Sequence, residues 1–115
     1  METKHALDCF AALAQETRLA VFQMLVRHEP DGLAAGEIAR RLNVPHNTMS
    51  THLAVLTRAG LTRSDRQSRS IIYRADLDRI DQTIRFLVRD CCNGRPEICQ
   101  PLLDSLTDDL PTPDT

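Results

Sequence analysis

Apolar residues recur at helical spacing over most of the chain. Leu7, Phe10, Ala11 and Ala14 stand at i, i+3, i+4 and i+7 and predict one face of a first helix. Leu19, Phe22, Leu25 and Val26 repeat the pattern on a second helix. Glu16 and Thr17 suit its first turn, and His28 near its end sits well against the helix dipole. Glu29-Pro30-Asp31-Gly32 predicts a turn. Leu33, Glu37-Ile38-Ala39 and Leu42 predict a short third helix that ends near Asn43. After Val44-Pro45 a fourth helix is expected from His46 to Arg58, with Met49, Leu53 and Leu56 on its apolar side and Val55 beside them. Ala59-Gly60 then stops it as a C-terminal glycine does.

The period changes at this point. Leu61 to Asp65 and Ser70 to Arg74 are short runs holding β-branched residues, with Arg66-Gln67-Ser68-Arg69 as a polar turn between them, and they predict a two-stranded hairpin. A fifth helix follows, with Leu77, Ile80, Ile84, Leu87 and Val88 on one face, ending around Cys91-Cys92-Asn93-Gly94. Pro101-Leu102-Leu103 opens one more short turn, and residues 107–115, with two prolines and three aspartates, are expected to be disordered. The expectation is a single domain over residues 1–106, mainly α with a small β-hairpin, in the order α-α-α-α-β-β-α.

Composition narrows this further. The 115 residues suit one domain. Aromatic residues make up only 3% of them, so the core must come from Leu, Ala, Val and Ile, which favours helices. No apolar run reaches the roughly 18 residues that a membrane span needs. The polar start Met1-Glu2-Thr3-Lys4-His5 lacks a signal-like apolar region, so a cytoplasmic location is expected. Thiols there stay reduced, and the four cysteines then imply no disulfide framework.

Net charge is −2 overall, but it is unevenly spread. Between Gly36 and Ala75 lie seven arginines (Arg40, Arg41, Arg58, Arg63, Arg66, Arg69 and Arg74) against Glu37 and Asp65, a net +5. From Asp76 onward nine acidic residues face four arginines, a net −5. A polyanion is attracted to the middle of such a chain and repelled by its end.

A short helix, a tight connection, a second helix and a basic hairpin are laid out as in a winged helix-turn-helix. In that arrangement the second helix offers its N-terminal polar residues to base edges in the major groove. Those residues here are His46, Asn47, Thr48, Ser50 and Thr51. Asn pairs bidentately with adenine, while Ser, Thr and His contact bases or phosphates. Arg66 and Arg69 in the hairpin turn are placed for phosphates or the minor groove. One exposed polar residue is usually only solvated. The coincidence of element order and charge is what points to double-stranded DNA.

Glu16-Thr17-Arg18-Leu19 through Leu25, and Thr48 to Leu56 followed by Ala59-Gly60-Leu61, resemble the second helix and the recognition helix of the ArsR/SmtB metalloregulatory repressors. The resemblance covers roughly residues 5 to 92. It implies a homodimer formed by the first and fifth helices, a pseudo-palindromic operator, and a repressor released by its inducer. Pro45 stands where the family often has a Ser cap, Thr51 where Arg is common, and Ser68 where the hairpin often has glycine. His52, which the family places beside DNA, reads equally well as a packed histidine.

Three of the four cysteines, Cys91, Cys92 and Cys99, fall within nine positions. There is no Cys-x-x-Cys and no nearby His, so no structural zinc is expected. Successive helical residues point about 100° apart, so Cys91 and Cys92 converge only at a helix end. Asn93-Gly94 and Pro96 provide such an end and let the chain turn Cys99 back. Three thiolates without a fourth ligand suit a pyramidal thiophilic ion, with As(III) first and Sb(III) second, one per subunit. The resemblance adds that Leu33 to Glu37 lacks the cysteines of many arsenic-responsive members, and Asp76-Leu77-Asp78 lacks the His of zinc sensors. What remains resembles arsenite-responsive members with a vicinal Cys pair ending the fifth helix and a downstream Cys. A thiol redox- or persulfide-responsive repressor of the same fold is the alternative. A thiol enzyme is disfavoured, because no cysteine lies in a phosphate cradle or near a base. Cys9, beside Phe10 on the first helix, reads as core or dimer interface.

Overall fold

A computed structural model describes residues 1–90 together with Glu97, Pro101, Asp104 and Ser105. Helix α1 (Thr3–Leu13) leads through a short turn to α2 (Glu16–Arg27), which Gln15 caps by accepting the Arg18 N–H through its side chain at 2.8 Å. A two-residue strand β1 (Leu33–Ala34), helix α3 (Ala35–Leu42) and helix α4 (His46–Arg58) follow. Strands β2 (Thr62–Gln67) and β3 (Ser70–Ala75) form the hairpin, and α5 (Leu77–Arg85) begins at the Asp76 cap. The predicted mainly helical winged helix-turn-helix is therefore the observed fold.

The structure corrects two expectations. Leu33 is not in the third helix. Together with Ala34 it pairs antiparallel with Tyr73 and Ile72, completing a three-stranded sheet of order β1-β3-β2. The cause lies one residue earlier. Gly32 has a φ of +75°, and a Cβ there would lie 2.5 Å from the Tyr73 carbonyl oxygen. Only glycine lets the turn press this closely onto β3. The fifth helix also changes pitch, continuing as a π-helical stretch over Phe86–Asp90. Its predicted end at Cys91 to Gly94 and the tail 107–115 lie outside the described residues; of the predicted further turn Pro101-Leu102-Leu103, Pro101 is helical and the two leucines lie outside the described residues.

The core is built from Val21, Leu25, Ile38, Met49, Leu53, Leu56 and Leu61, all fully buried. Each contributes about 1.5–3 kcal/mol through burial. Cys9 is fully buried among them, and its thiol donates to the Ala59 carbonyl at 3.4 Å, so it belongs to the core. The apolar stripes read from the sequence do not all face inward. On α1 the buried residues are Ala6, Cys9 and Ala12, while Leu7, Ala11 and Ala14 are exposed. On α2 Phe22 and Leu25 are buried but Leu19 and Val26 are exposed. On the last helix Leu77, Ile84 and Leu87 are exposed, and Val88 is buried.

Candidate nucleic-acid interface

Matched ends position α4. At the preceding turn Asn43 adopts a left-handed conformation (φ 54°). The Val44 N–H donates to the Ala39 carbonyl at 3.0 Å, and the Asn43 N–H to Arg40 at 3.2 Å. This is the Schellman arrangement, in which a left-handed residue closes a helix. The far end of α4 repeats it. Gly60 has a φ of +83°, the Leu61 N–H donates to the Leu56 carbonyl at 3.0 Å, and Leu61 plunges into the core. The direction of α4 is thus fixed at both ends, and Met49, Leu53 and Leu56 clamp its inner face.

The outer face follows from these contacts. His46, Asn47, Thr48, Ser50 and Thr51 are all exposed, as the sequence predicts. Asn47, Thr51, Ala54 and Arg58 stand at i, i+4, i+7 and i+11 and share one exposed stripe. No side chain caps the helix start, where Pro45 takes the position of a cap residue. His52 sits differently. It is half-buried beside the core edge of α4, with Nδ1 3.5 Å from Nη1 of Arg18.

The hairpin projects as a wing whose residues from Arg63 to Ile71 are all exposed. Gln67 pairs with Ser70, leaving the two-residue turn Ser68-Arg69, and Ser68 has a φ of +58°. A positive φ there explains why glycine is usual at this point in the family. Arg66 and Arg69 are exposed on the wing.

Ion pairing divides the seven arginines. Glu37 binds Arg40 and, at 2.7 Å, Arg41. Arg41 also donates to Nε2 of His28 at 2.9 Å, and Arg74 pairs with Asp65. Hydrogen bonds from Arg40 and Arg41 lower the Glu37 carboxyl from 4.5 to about 2. Among the described residues, Arg58, Arg63, Arg66 and Arg69 have no carboxylate partner, and all four are exposed. Arg58 and Arg63 were not singled out from the sequence. The place of Arg58, eleven residues after Asn47 on the same helical stripe, was the available signal.

Cys91, Cys92 and Cys99 lie outside the described residues. Among the described residues no three His, Cys, Asp or Glu side chains come together to hold a metal ion.

A helix-turn-helix domain family matches residues 13–65. The transcriptional activator HlyU of Vibrio cholerae is 32% identical over 89 residues, covering 77% of this chain and 80% of that protein. A structure described as an ArsR-like transcriptional regulator from Rhodococcus sp. RHA1 superposes with a TM-score of 0.71 at 28% identity, covering 95% of each chain. The chain belongs to the ArsR/SmtB family of transcriptional regulators. It is a DNA-binding protein of a non-enzymatic class. A structure described as reduced HlyU from Vibrio cholerae aligns with a TM-score of 0.60 at 27% identity, covering 74% of this chain and 87% of that one. The fold is shared with a homodimeric winged helix-turn-helix domain, Mb0332 from Mycobacterium bovis, at a TM-score of 0.63 and 23% identity, covering 78% of this chain and 80% of that one.

Proposed function

We propose that this regulator is a homodimeric repressor that leaves a pseudo-palindromic operator when trivalent arsenic, or antimony, binds Cys91, Cys92 and Cys99. The α4 stripe enters the major groove, with His46, Asn47, Thr48, Ser50 and Thr51 toward bases and phosphates. Arg66 and Arg69 hold the flanking backbone. Dimerisation is supported by the exposed apolar side chains of α1 and the last helix: Leu7 is 60% exposed, Ile84 45% and Leu87 46%. Such residues at helical spacing await a partner surface. A dimer holds its two α4 helices about 34 Å apart, one turn of DNA.

The observation that carries the inducer assignment is that three cysteines fall within nine positions just after Asp90 in the sequence. A thiophilic ion bound there ties down the chain beside the dimer helix and changes the spacing of the α4 pair. A coupling of about 1–3 kcal/mol weakens DNA binding by about 5- to 150-fold. A second reading, a thiol redox switch, is favoured by the related HlyU having a structure described by its reduced state.

The test is a titration of a protein-bound duplex, selected from a random-sequence pool, with arsenite, antimonite, zinc and peroxide. Arsenite is expected to release wild type at low concentration, and to release Cys91→Ser, Cys92→Ser and Cys99→Ser only at much higher concentration. Release by peroxide with arsenite inert would favour the redox reading. Equal release of all variants by arsenite would refute the three-cysteine site. Reporter expression with and without the protein reads the sign of regulation.

A further inference from the structure

We infer that Arg18 is a positioning residue that fixes the tautomer of His52 and presents its Nε2–H to the DNA, linking the end of α1 to the recognition helix. The inference rests on the DNA-binding reading of α4. Arg18 is half-buried, and none of the ion pairs among the described residues involves it. All three guanidinium nitrogens are nevertheless used. Nε donates to the Ala12 carbonyl at 2.6 Å, and Nη2 donates to the Ala11 carbonyl at 3.4 Å. Nη1 faces Nδ1 of His52 at 3.5 Å, 34 residues away in sequence. These two carbonyls close the last turn of α1 and hold the guanidinium plane in place.

Guanidinium can only donate, so the His52 Nδ1 facing it must accept. In a neutral imidazole the proton then sits on Nε2. Nε2 makes no hydrogen bond among the described residues. The ring therefore carries a donor of known position on the half-exposed shoulder of α4, next to Thr48 and Thr51. A fixed N–H donor recognises an acceptor: a phosphate oxygen, or guanine O6/N7 or thymine O4 in the major groove. Because Arg18 holds α1 and His52 together, a displacement of α1 is carried to that donor without passing through the core of α4.

Long-range 15N–1H spectra of the imidazoles in the free protein test the tautomer. Wild-type His52 is expected as the Nε2–H form, and Arg18→Met should convert it to a mixture. His52 carrying its proton on Nδ1, or a spectrum unchanged by Arg18→Met, would overturn the inference. On the selected duplex, Arg18→Met and His52→Leu should each weaken binding about tenfold. The double variant should be no weaker, because both remove the same donor. Losses that multiply would also overturn it. His52→Gln, which keeps an acceptor and a donor on one stem and leaves the Arg18 grip on α1 intact, should recover most of the affinity. That variant keeps the question answerable if Arg18→Met fails to fold. The tautomer measurement needs no DNA, so a wild type that binds no duplex would count against the DNA reading alone.

Discussion

At the residue scale, tertiary pairing decides what each arginine can offer. Arg40 and Arg41 are held by Glu37, and Arg74 by Asp65, whereas Arg58, Arg66 and Arg69 are exposed and have no carboxylate partner among the described residues. A guanidinium without a carboxylate partner neutralises phosphate and releases counterions without first breaking an ion pair. Arg58→Ala, Arg66→Ala and Arg69→Ala are each expected to reduce the slope of log affinity against log salt by about one. Arg40→Ala, whose guanidinium shares the Glu37 carboxylate with Arg41, should lower the slope by less. Fluorescence anisotropy across a salt series reads all four. Equal slopes for Arg40→Ala and Arg66→Ala would show that pairing in the free protein does not select the contacts.

At the element scale, α3 is held by exposed charge and α4 by its ends. Glu37 reaches Arg40 and Arg41 at i+3 and i+4, while His28 Nδ1 donates to the Met24 carbonyl at 2.8 Å and Nε2 accepts from Arg41. The end of α2 is thereby tied to α3. Since the Glu37 carboxyl is lowered from 4.5 to about 2, its contribution is fully present above about 4.5. It is lost as pH falls through about 2. The melting-temperature gap between wild type and Glu37→Gln should therefore be constant near neutrality and close between pH 4.5 and 2. A gap that persists at pH 2 in thermal melts would place its origin elsewhere. The gap will be small, because the group is exposed to solvent.

Much of the element level is legible in sequence. The bounds of α4, from His46 to Arg58, follow from Pro45, the Met49-Leu53-Leu56 spacing and Gly60. Strand β1 was not legible, because two residues carry no period. Its existence depends on Gly32 meeting the backbone of Tyr73, forty-one positions away. The proposed arsenic ligands Cys91, Cys92 and Cys99 rest on their spacing and on the family resemblance and lie outside the described residues, while the Arg18–His52 contact had no sequence signal, since nothing local marks a pair so distant.

At the scale of the whole molecule, exposed apolar side chains on α1 and α5 offer a surface for a partner. Leu7 lies on α1, Ile84 on α5 and Leu87 just beyond it, and none belongs to the core. Leu7→Glu and Leu87→Glu should then leave the helical content of the chain unchanged. Sedimentation should shift from dimer to monomer, and DNA affinity should fall at least tenfold through loss of the paired half-site contacts. Variants that stay dimeric would place the interface on another surface, for which the exposed Leu19 and Val26 of α2 are available.

The sequence alone determined the order of the helices and the hairpin, the helix with the exposed polar face and the segment that carries positive charge. These depend on periodicity, caps and turn residues that act within a few positions of themselves. The tertiary structure decided which face of each apolar helix is inside, which arginines among the described residues have no carboxylate partner, and that Arg18 meets His52. Those outcomes depend on distant side chains meeting. Burial and ion pairing are properties of the packed neighbourhood, and a linear pattern does not contain them.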